Sequence, residues 1–335
     1  MQIADRAGRA WLVDPLALPD LAPLGGITAA GRPLIVLHAG DNDLAHLKRR
    51  YGFRFGRIFD TSLAARFLGA RALGLDVLLA EYLGVTLPPS RQKDDWSRRP
   101  LSPAQEQYAA ADVLYLLPLK DRLAADVRAA GRLAWVEEES AALAAEPVSE
   151  RAPDPDAYLR VKGARQLKPR QQAILRALWE ARERLAREAD RPPFKVLGDT
   201  VLLALAQAAP ATRAELALVP GCSPRVVERW GAAILEAVAR AQALPEDELP
   251  VPSRPPRPPS LPNAVRRRIE ALRRWRETAA PAAGLEPGVL LPNRLIRPIA
   301  EAAPRDLEAL AAVDGVRRWR VEAFGAEILA ALRGA

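Results

Sequence analysis

Residues 216–235 read LALVPGCSPRVVERWGAAIL, and residues 310–329 read LAAVDGVRRWRVEAFGAEIL. Laid one above the other, Leu216 falls on Leu310, Val219 on Val313, Gly221 on Gly315 and Val227 on Val321. Trp230 then meets Phe324, Gly231 meets Gly325, and Ile234-Leu235 meets Ile328-Leu329. The register extends upstream without a gap, through Leu178 and Leu272, Arg182 and Arg276, Pro193 and Pro287, Leu197 and Leu291, and Pro210 and Pro304. Every pair stands 94 positions apart. Chance does not hold one offset that long, so a single small fold is used twice.

Each copy reads as helical. Ile174, Leu175, Leu178, Ala181 and Leu185 recur at spacings of three and four, the stripe of an amphipathic helix. Pro192-Pro193 stops it, and Asp199 is the expected N-cap of an apolar helix over 200–209, with Asn293 at the matching place. A short helix and the Val219-Pro220-Gly221 turn lead to a last helix carrying Val227, Trp230, Ile234 and Leu235 inward. Between the copies, residues 245–262 hold eight prolines and no apolar periodicity, a semi-rigid spacer. The pattern resembles the HRDC domain, which implies a surface for nucleic acid or protein.

The bulk numbers agree with a folded, soluble, multi-domain chain. Its 335 residues are 49% hydrophobic and 27% charged, and a single core usually serves ~100–200 residues. No apolar run is long enough to span a membrane, and Met1 to Arg6 lacks the pattern of a signal peptide. One cysteine, Cys222, permits no internal disulfide, so a cytoplasmic location is expected. The 49 basic and 41 acidic residues leave a net charge of +8, which favours polyanionic partners. No stretch speaks to the oligomeric state, and a monomer is the default expectation.

The N-terminal part alternates strands with helices. Strands are expected over 10–14, 33–37 and 57–60, and helices over 43–51, 61–68 and 75–83. Ser102-Pro103-Ala104-Gln105 has a hydroxyl, a proline and a glutamine at the positions of a capping box. In the helix that it opens, Tyr108 and Asp112 are four apart and share a face.

Three segments carry a second resemblance: His38-Ala39-Gly40-Asp41-Asn42-Asp43, Lys93-Asp94-Asp95-Trp96-Ser97-Arg98-Arg99-Pro100, and Tyr108-Ala109-Ala110-Ala111-Asp112. In this order, ahead of two HRDC-like copies, they resemble ribonuclease D, a 3′–5′ exonuclease of the DEDD superfamily with a tyrosine in its last motif. The resemblance implies an α/β ribonuclease-H-like exonuclease domain with a mixed sheet, followed by two all-α domains. It implies two divalent ions, Mg²⁺ or Mn²⁺, held by four carboxylates, and RNA 3′ ends such as tRNA precursors as substrate. Asp43 and Asp112 become metal ligands, and Tyr108 orients the attacking water. Expected nucleic-acid contacts are His38, Trp96, Arg98 and Arg99, with Arg266, Arg267 and Arg273 in the second copy. Asp41 and Asp94 read as loop residues. The domains are expected at 1–140, 161–244 and 263–335, with linkers at 141–160 and 245–262.

One motif of that family is absent upstream of Asp43. Asp5, Asp14 and Asp20 are followed two positions later by Ala7, Leu16 and Ala22, so no Asp-x-Glu occurs. By the resemblance, Met1 falls inside the family's second strand. The expectation is a sheet without its first strand and a site with two of four carboxylates. Either the start lies upstream of Met1, or the chain is a catalytically impaired binder of nucleic acid.

Overall fold

The computed structural model of the chain describes residues 1–18, 20–29, 33–148, 154–250 and 261–335. Most of the spacer, residues 251–260, lies outside them. β1 (Gln2–Ala4) and β2 (Ala10–Leu12) form an antiparallel hairpin with Ile3 opposite Trp11. After α1 (Ala22–Ala29), β3 (Ile35–Leu37) leads through α2 (Asp41–Tyr51) to β4 (Ile58–Asp60). β3 and β4 pair in parallel, with Leu37 opposite Asp60. Then follow α3 (Thr61–Phe67), α4 (Leu75–Leu83), α5 (Pro103–Leu114), α6 (Leu116–Ala129) and α7 (Leu133–Ala145).

The sheet differs from the expectation of one mixed sheet. Among the described residues there are two separate two-stranded pairs. Each strand is only three residues long, and helices supply most of the cover: α5 lies on the β1–β2 hairpin and α7 on β4. The capping box forms as read, with Ser102 accepting from the Gln105 N–H and Gln105 Oε1 accepting from the Ser102 N–H.

The two helical copies match element for element. The first has α8 (Pro169–Glu188), α9 (Pro193–Val196), α10 (Asp199–Ala208), α11 (Arg213–Leu218) and α12 (Pro224–Gln242). The second has α13 (Asn263–Ala282), α14 (Pro287–Leu290), α15 (Asn293–Ala302), α16 (Leu307–Ala311) and α17 (Arg318–Arg333). Gly221 and Gly315 both sit at positive φ, +88° and +79°. A Cβ at either would also press on an earlier helix of the module, 2.5 Å from Val201 Cγ2 of α10 or 3.1 Å from Leu295 Cδ2 of α15. Conformation and space therefore both require glycine at this turn.

Asp199 and Asn293 do not cap their helices. The caps are Gly198 and Pro292, neither using a side chain. Asp199 Oδ1 instead accepts from Arg182 Nη1, and Asn293 Oδ1 from Arg276 Nη1, both at 2.7 Å. The same guanidiniums donate to Leu197 O and Leu291 O. A guanidinium drawn under the module needs an acceptor more than the exposed helix end needs a cap.

The chain forms two compact units, and they do not follow the order of its parts. One comprises residues 150–259 and the other residues 1–149 together with 260–335. The first copy has a core of its own, in which Leu178, Leu202, Leu205 and Leu216 are fully buried. Tyr158 and Leu159, from the stretch expected to link the domains, belong to that core, while residues 141–145 continue α7. The second copy shares one core with the α/β part. Trp319 of α17 stacks on Trp135 of α7 at 4.6 Å and meets Phe67 of α3 edge-on at 5.2 Å. Arg132 ties the two together by donating to Phe67 O and Ala283 O, both at 2.6 Å.

α7 also presents two adjacent carboxylates to the start of α17. Glu138 accepts from the backbone N–H groups of Arg318 (2.7 Å) and Trp319 (2.9 Å), so this helix is capped from another element. Glu139 accepts from Trp319 Nε1 (3.1 Å), Arg317 Nε (3.3 Å) and Arg320 Nη2 (3.5 Å). Arg320 is 1% exposed and also donates to Leu290 O and Val289 O. Burial lowers its pKa to about 10, which still leaves it charged at neutral pH.

No helix among the described residues is long and apolar enough to cross a membrane.

Candidate active site

The site begins at the parallel pair. Because Leu37 lies opposite Asp60, the turn after β3 runs beside the end of β4. Asp60, 1% exposed, serves both ends of that crossing. It caps α3 by accepting from Ser62 N (2.8 Å), Leu63 N (3.3 Å) and Ser62 Oγ (2.7 Å). It also accepts from Gly40 N (2.8 Å) and Ala39 N (3.2 Å), fixing the turn that opens α2. Ala39 takes a left-handed φ of +50° there, a conformation costly for a residue with a Cβ and held in place by those two bonds. The Asp60 N–H faces Ser140 Oγ of α7 at 3.5 Å. One helix, α7, thus touches both Asp60, which holds the turn before Asp43, and the second helical copy.

His38 is half-buried, with Nδ1 2.9 Å from Thr61 Oγ1. The hydroxyl proton of Thr61 is directed to Leu37 O at 3.0 Å, which leaves that oxygen to accept from the imidazole. Burial pushes the His38 pKa below its ordinary value, outweighing the raising effect of Asp60. Fastened in this way, His38 latches the turn.

Asp43 stands in the first turn of α2, on the side open to solvent. Its carboxyl is pushed up, first by partial burial and then by the charges of Asp41 and Asp60, against an opposing effect of His46. Asp112 is half-buried on α5, and burial raises it too. Neither has a hydrogen-bond or ion-pair partner among the described residues. Carboxylates desolvated without a cation are what a hard divalent ion would relieve. Among the described residues, however, no three His, Cys, Asp or Glu side chains converge as a metal-binding group. As oxygen donors, both carboxylates have the chemistry that suits a hard divalent ion.

Tyr108, 8% exposed, packs on Trp96 with ring centroids 6.2 Å apart. Trp96 is held in turn, its Nε1 donating to Arg91 O at 3.1 Å. Gln105 Nε2 reaches Asp95 O at 3.3 Å, so the loop before the capping box is tied to the helix after it. Arg99 is fully committed: it forks onto Asp14 at 2.6 and 2.9 Å and donates to Trp96 O and Arg98 O. The hydrogen-bonding Arg99 guanidinium holds the Asp14 carboxyl down at about 2. Arg98 and Arg273 are exposed and have no partner among the described residues. Arg266 bonds Asn263, and Arg267 donates to Ala335 O at 3.2 Å.

The structure thus gathers the expected residues into two groups, His38 and Asp43 around Asp60, and Tyr108 with Trp96 on the loop ahead of α5. Asp60 escaped the sequence reading, although Asp60-Thr61-Ser62 after a short apolar strand carries an N-cap signal.

Comparison with known proteins supplies the class. A family described as a 3′–5′ exonuclease matches residues 1–128, and the HRDC domain matches residues 171–238 and again 265–332. The fold is that of a 3′–5′ exonuclease domain joined to two HRDC domains, a class dependent on divalent metal ions. Ribonuclease D of Pseudomonas paraeruginosa is 34% identical over 344 residues, covering 100% of this chain and 87% of that protein. Ribonuclease D of Acidiphilium cryptum is 35% identical, covering 92% of this chain and 77% of its own. The crystal structure of Escherichia coli RNase D, described as an exoribonuclease involved in structured RNA processing, superposes with a TM-score of 0.66 and 29% identity. That superposition covers 99% of this chain and 88% of that one. The chain belongs to the ribonuclease D family.

Proposed function

We propose that the protein is a 3′–5′ exoribonuclease that trims the 3′ ends of structured RNA, tRNA precursors among them, and releases 5′-mononucleotides. The observation that carries this reading is the likeness to ribonuclease D along the whole chain, with the exonuclease and both HRDC domains in the same order. Its working parts are an exonuclease domain within 1–140 and HRDC domains at 161–244 and 263–335. Asp43 and Asp112 would hold Mg²⁺ or Mn²⁺ through oxygen donors. Held there, such ions would supply activation of the attacking water and stabilisation of the leaving 3′ oxygen.

The chain's own residues do the positioning. Tyr108, fixed against Trp96, aims its hydroxyl at the attacking water. Asp60 and His38 hold the turn that presents Asp43. Arg98 is free to meet a phosphate near the site, and Arg273, with Arg266 and Arg267 beside it, to meet phosphates on the second HRDC domain.

The test is release of 5′-mononucleotides from a 3′-extended RNA by the purified full chain with Mg²⁺ or Mn²⁺. Release that disappears in Asp112→Ala and in Asp43→Asn is expected. No release with either metal would overturn the exonuclease reading, and release unchanged by both substitutions would overturn the site.

A further inference from the structure

The helix that presents Asp43 ends in an unusual run. From Leu44 to Phe59 the chain contains Lys48, Arg49, Arg50, Arg54 and Arg57 and no acidic residue. In a chain with 49 basic and 41 acidic residues, such a local excess is out of proportion. One of the five cations is structural: Lys48 Nζ donates to Ala144 O (2.7 Å) and Glu146 O (2.8 Å) where α7 ends. The four arginines are exposed and have no hydrogen-bond or ion-pair partner among the described residues.

Helix energetics account for only part of this. Arg49 and Arg50 lie in the last turn of α2, where the macrodipole favours cations by ~0.3–1 kcal/mol. Arg54 and Arg57 lie beyond the left-handed Gly52 that ends the helix, outside the reach of that effect. The helix also gives the run a direction. Asp43, His46 and Arg50 are spaced by three and four, so they share one stripe. Arg50 lies seven positions beyond the carboxylate, roughly 10 Å along the axis at ~1.5 Å per residue. A cation placed there, with Arg54 within four residues of it, lies at the distance of a phosphate further along a strand whose end is at Asp43.

The geometry points to α2 and the turn after it as a phosphate track, on which Arg50 and Arg54, flanked by Arg49 and Arg57, hold the backbone of single-stranded RNA that leads to Asp43. This inference rests on the exoribonuclease reading and names where its substrate lies. Arginines without acidic neighbours suit a polyanion, and each phosphate contact in a single strand contributes about −0.7 to the slope of log K against log salt.

The test measures binding in EDTA, where no cleavage occurs. Fluorescence anisotropy of the full chain with a 5′-labelled single-stranded oligoribonucleotide is followed between about 50 and 200 mM salt. Arg50→Ala/Arg54→Ala is expected to weaken binding roughly ten-fold at the low-salt end and to flatten the slope by about 1.4. Arg50→Lys/Arg54→Lys, which keeps the charges, should restore most of both. An Ala pair with wild-type affinity and slope overturns the track while leaving the exoribonuclease reading intact, and assigns these arginines to a different class of partner. Failure of the unaltered chain to bind RNA overturns both readings. A melting temperature equal to wild type in the Ala pair excludes misfolding as the cause of weaker binding.

Discussion

The two HRDC domains share a fold and differ in how the last helix begins. In the first domain α12 caps itself, the Ser223 hydroxyl accepting from the Val226 N–H. In the second, the start of α17 has no cap of its own and takes Glu138 from α7. The register pairs Ser223-Pro224-Arg225-Val226 with Arg317-Arg318-Trp319-Arg320. Pro224 has no N–H where Arg318 donates to Glu138, and Arg225 stands where Trp319 enters the shared core. A few substitutions at one helix start thus separate a module with its own core from one built into the catalytic unit. Duplication preserved the fold and released the surface.

Substitution at the paired positions should show this asymmetry at its largest. Trp319→Ala is expected to cost about 3–5 kcal/mol, because it empties a site between Trp135 and Phe67. Arg225→Ala, its counterpart, should stay within about 0.5 kcal/mol, as an exposed residue does. Denaturant melts of the two variants check this, and equal costs would break the comparison.

The caps come next in size. Ser223→Ala should cost about 1 kcal/mol and leave nuclease activity untouched. Glu138→Ala removes a comparable cap, about 1–2 kcal/mol, but from a helix seated on α7, which also touches Asp60. Its loss should therefore lower activity near the melting transition as well, as a thermal inactivation assay would register.

The smallest effect is electrostatic. Burial raises the Asp112 carboxyl. The protonated folded form is therefore favoured, and that stability is intact below the unfolded value near ~3.9 and lost as pH rises through the folded value. Asp112→Asn should thus slightly raise the melting temperature of metal-free protein at neutral pH and not at pH 3. Mn²⁺ should raise the wild-type melting temperature by more than that of the variant, since a ligand that binds only the native state stabilises it. A gain over wild type no larger at neutral pH than at pH 3 would contradict the burial of this carboxylate.

How far the sequence reveals this depends on the range of each interaction. Helical periodicity and the capping box are local, so α2, α3, α4 and α5 stand within two residues of where the pattern places them at each end that it defines. The helix α1 has two glycines and a proline among eight residues, which mask its helical character. The grip of Glu138 and Glu139 on α17 joins positions about 180 apart in the chain and leaves no local signature. For the candidate site, Asp43, Tyr108 and Asp112 are proposed through the family resemblance, which local pattern alone does not supply. Asp60 carries a local cap signal for α3, but its hold on the turn at Gly40 shows only once the strand register puts the two side by side, and the commitment of Arg99 to Asp14 only in three dimensions.

The shared core makes the exonuclease domain and the second HRDC domain one cooperative folding unit, with the first HRDC domain folding on its own core. Hydrogen exchange read by mass spectrometry on Trp319→Ala tests it directly. Protection should fall together across α3, α6, α7 and α13 to α17 while α8 to α12 keep theirs. Loss confined to α13 to α17, with α3, α6 and α7 as protected as in the wild type, would contradict it.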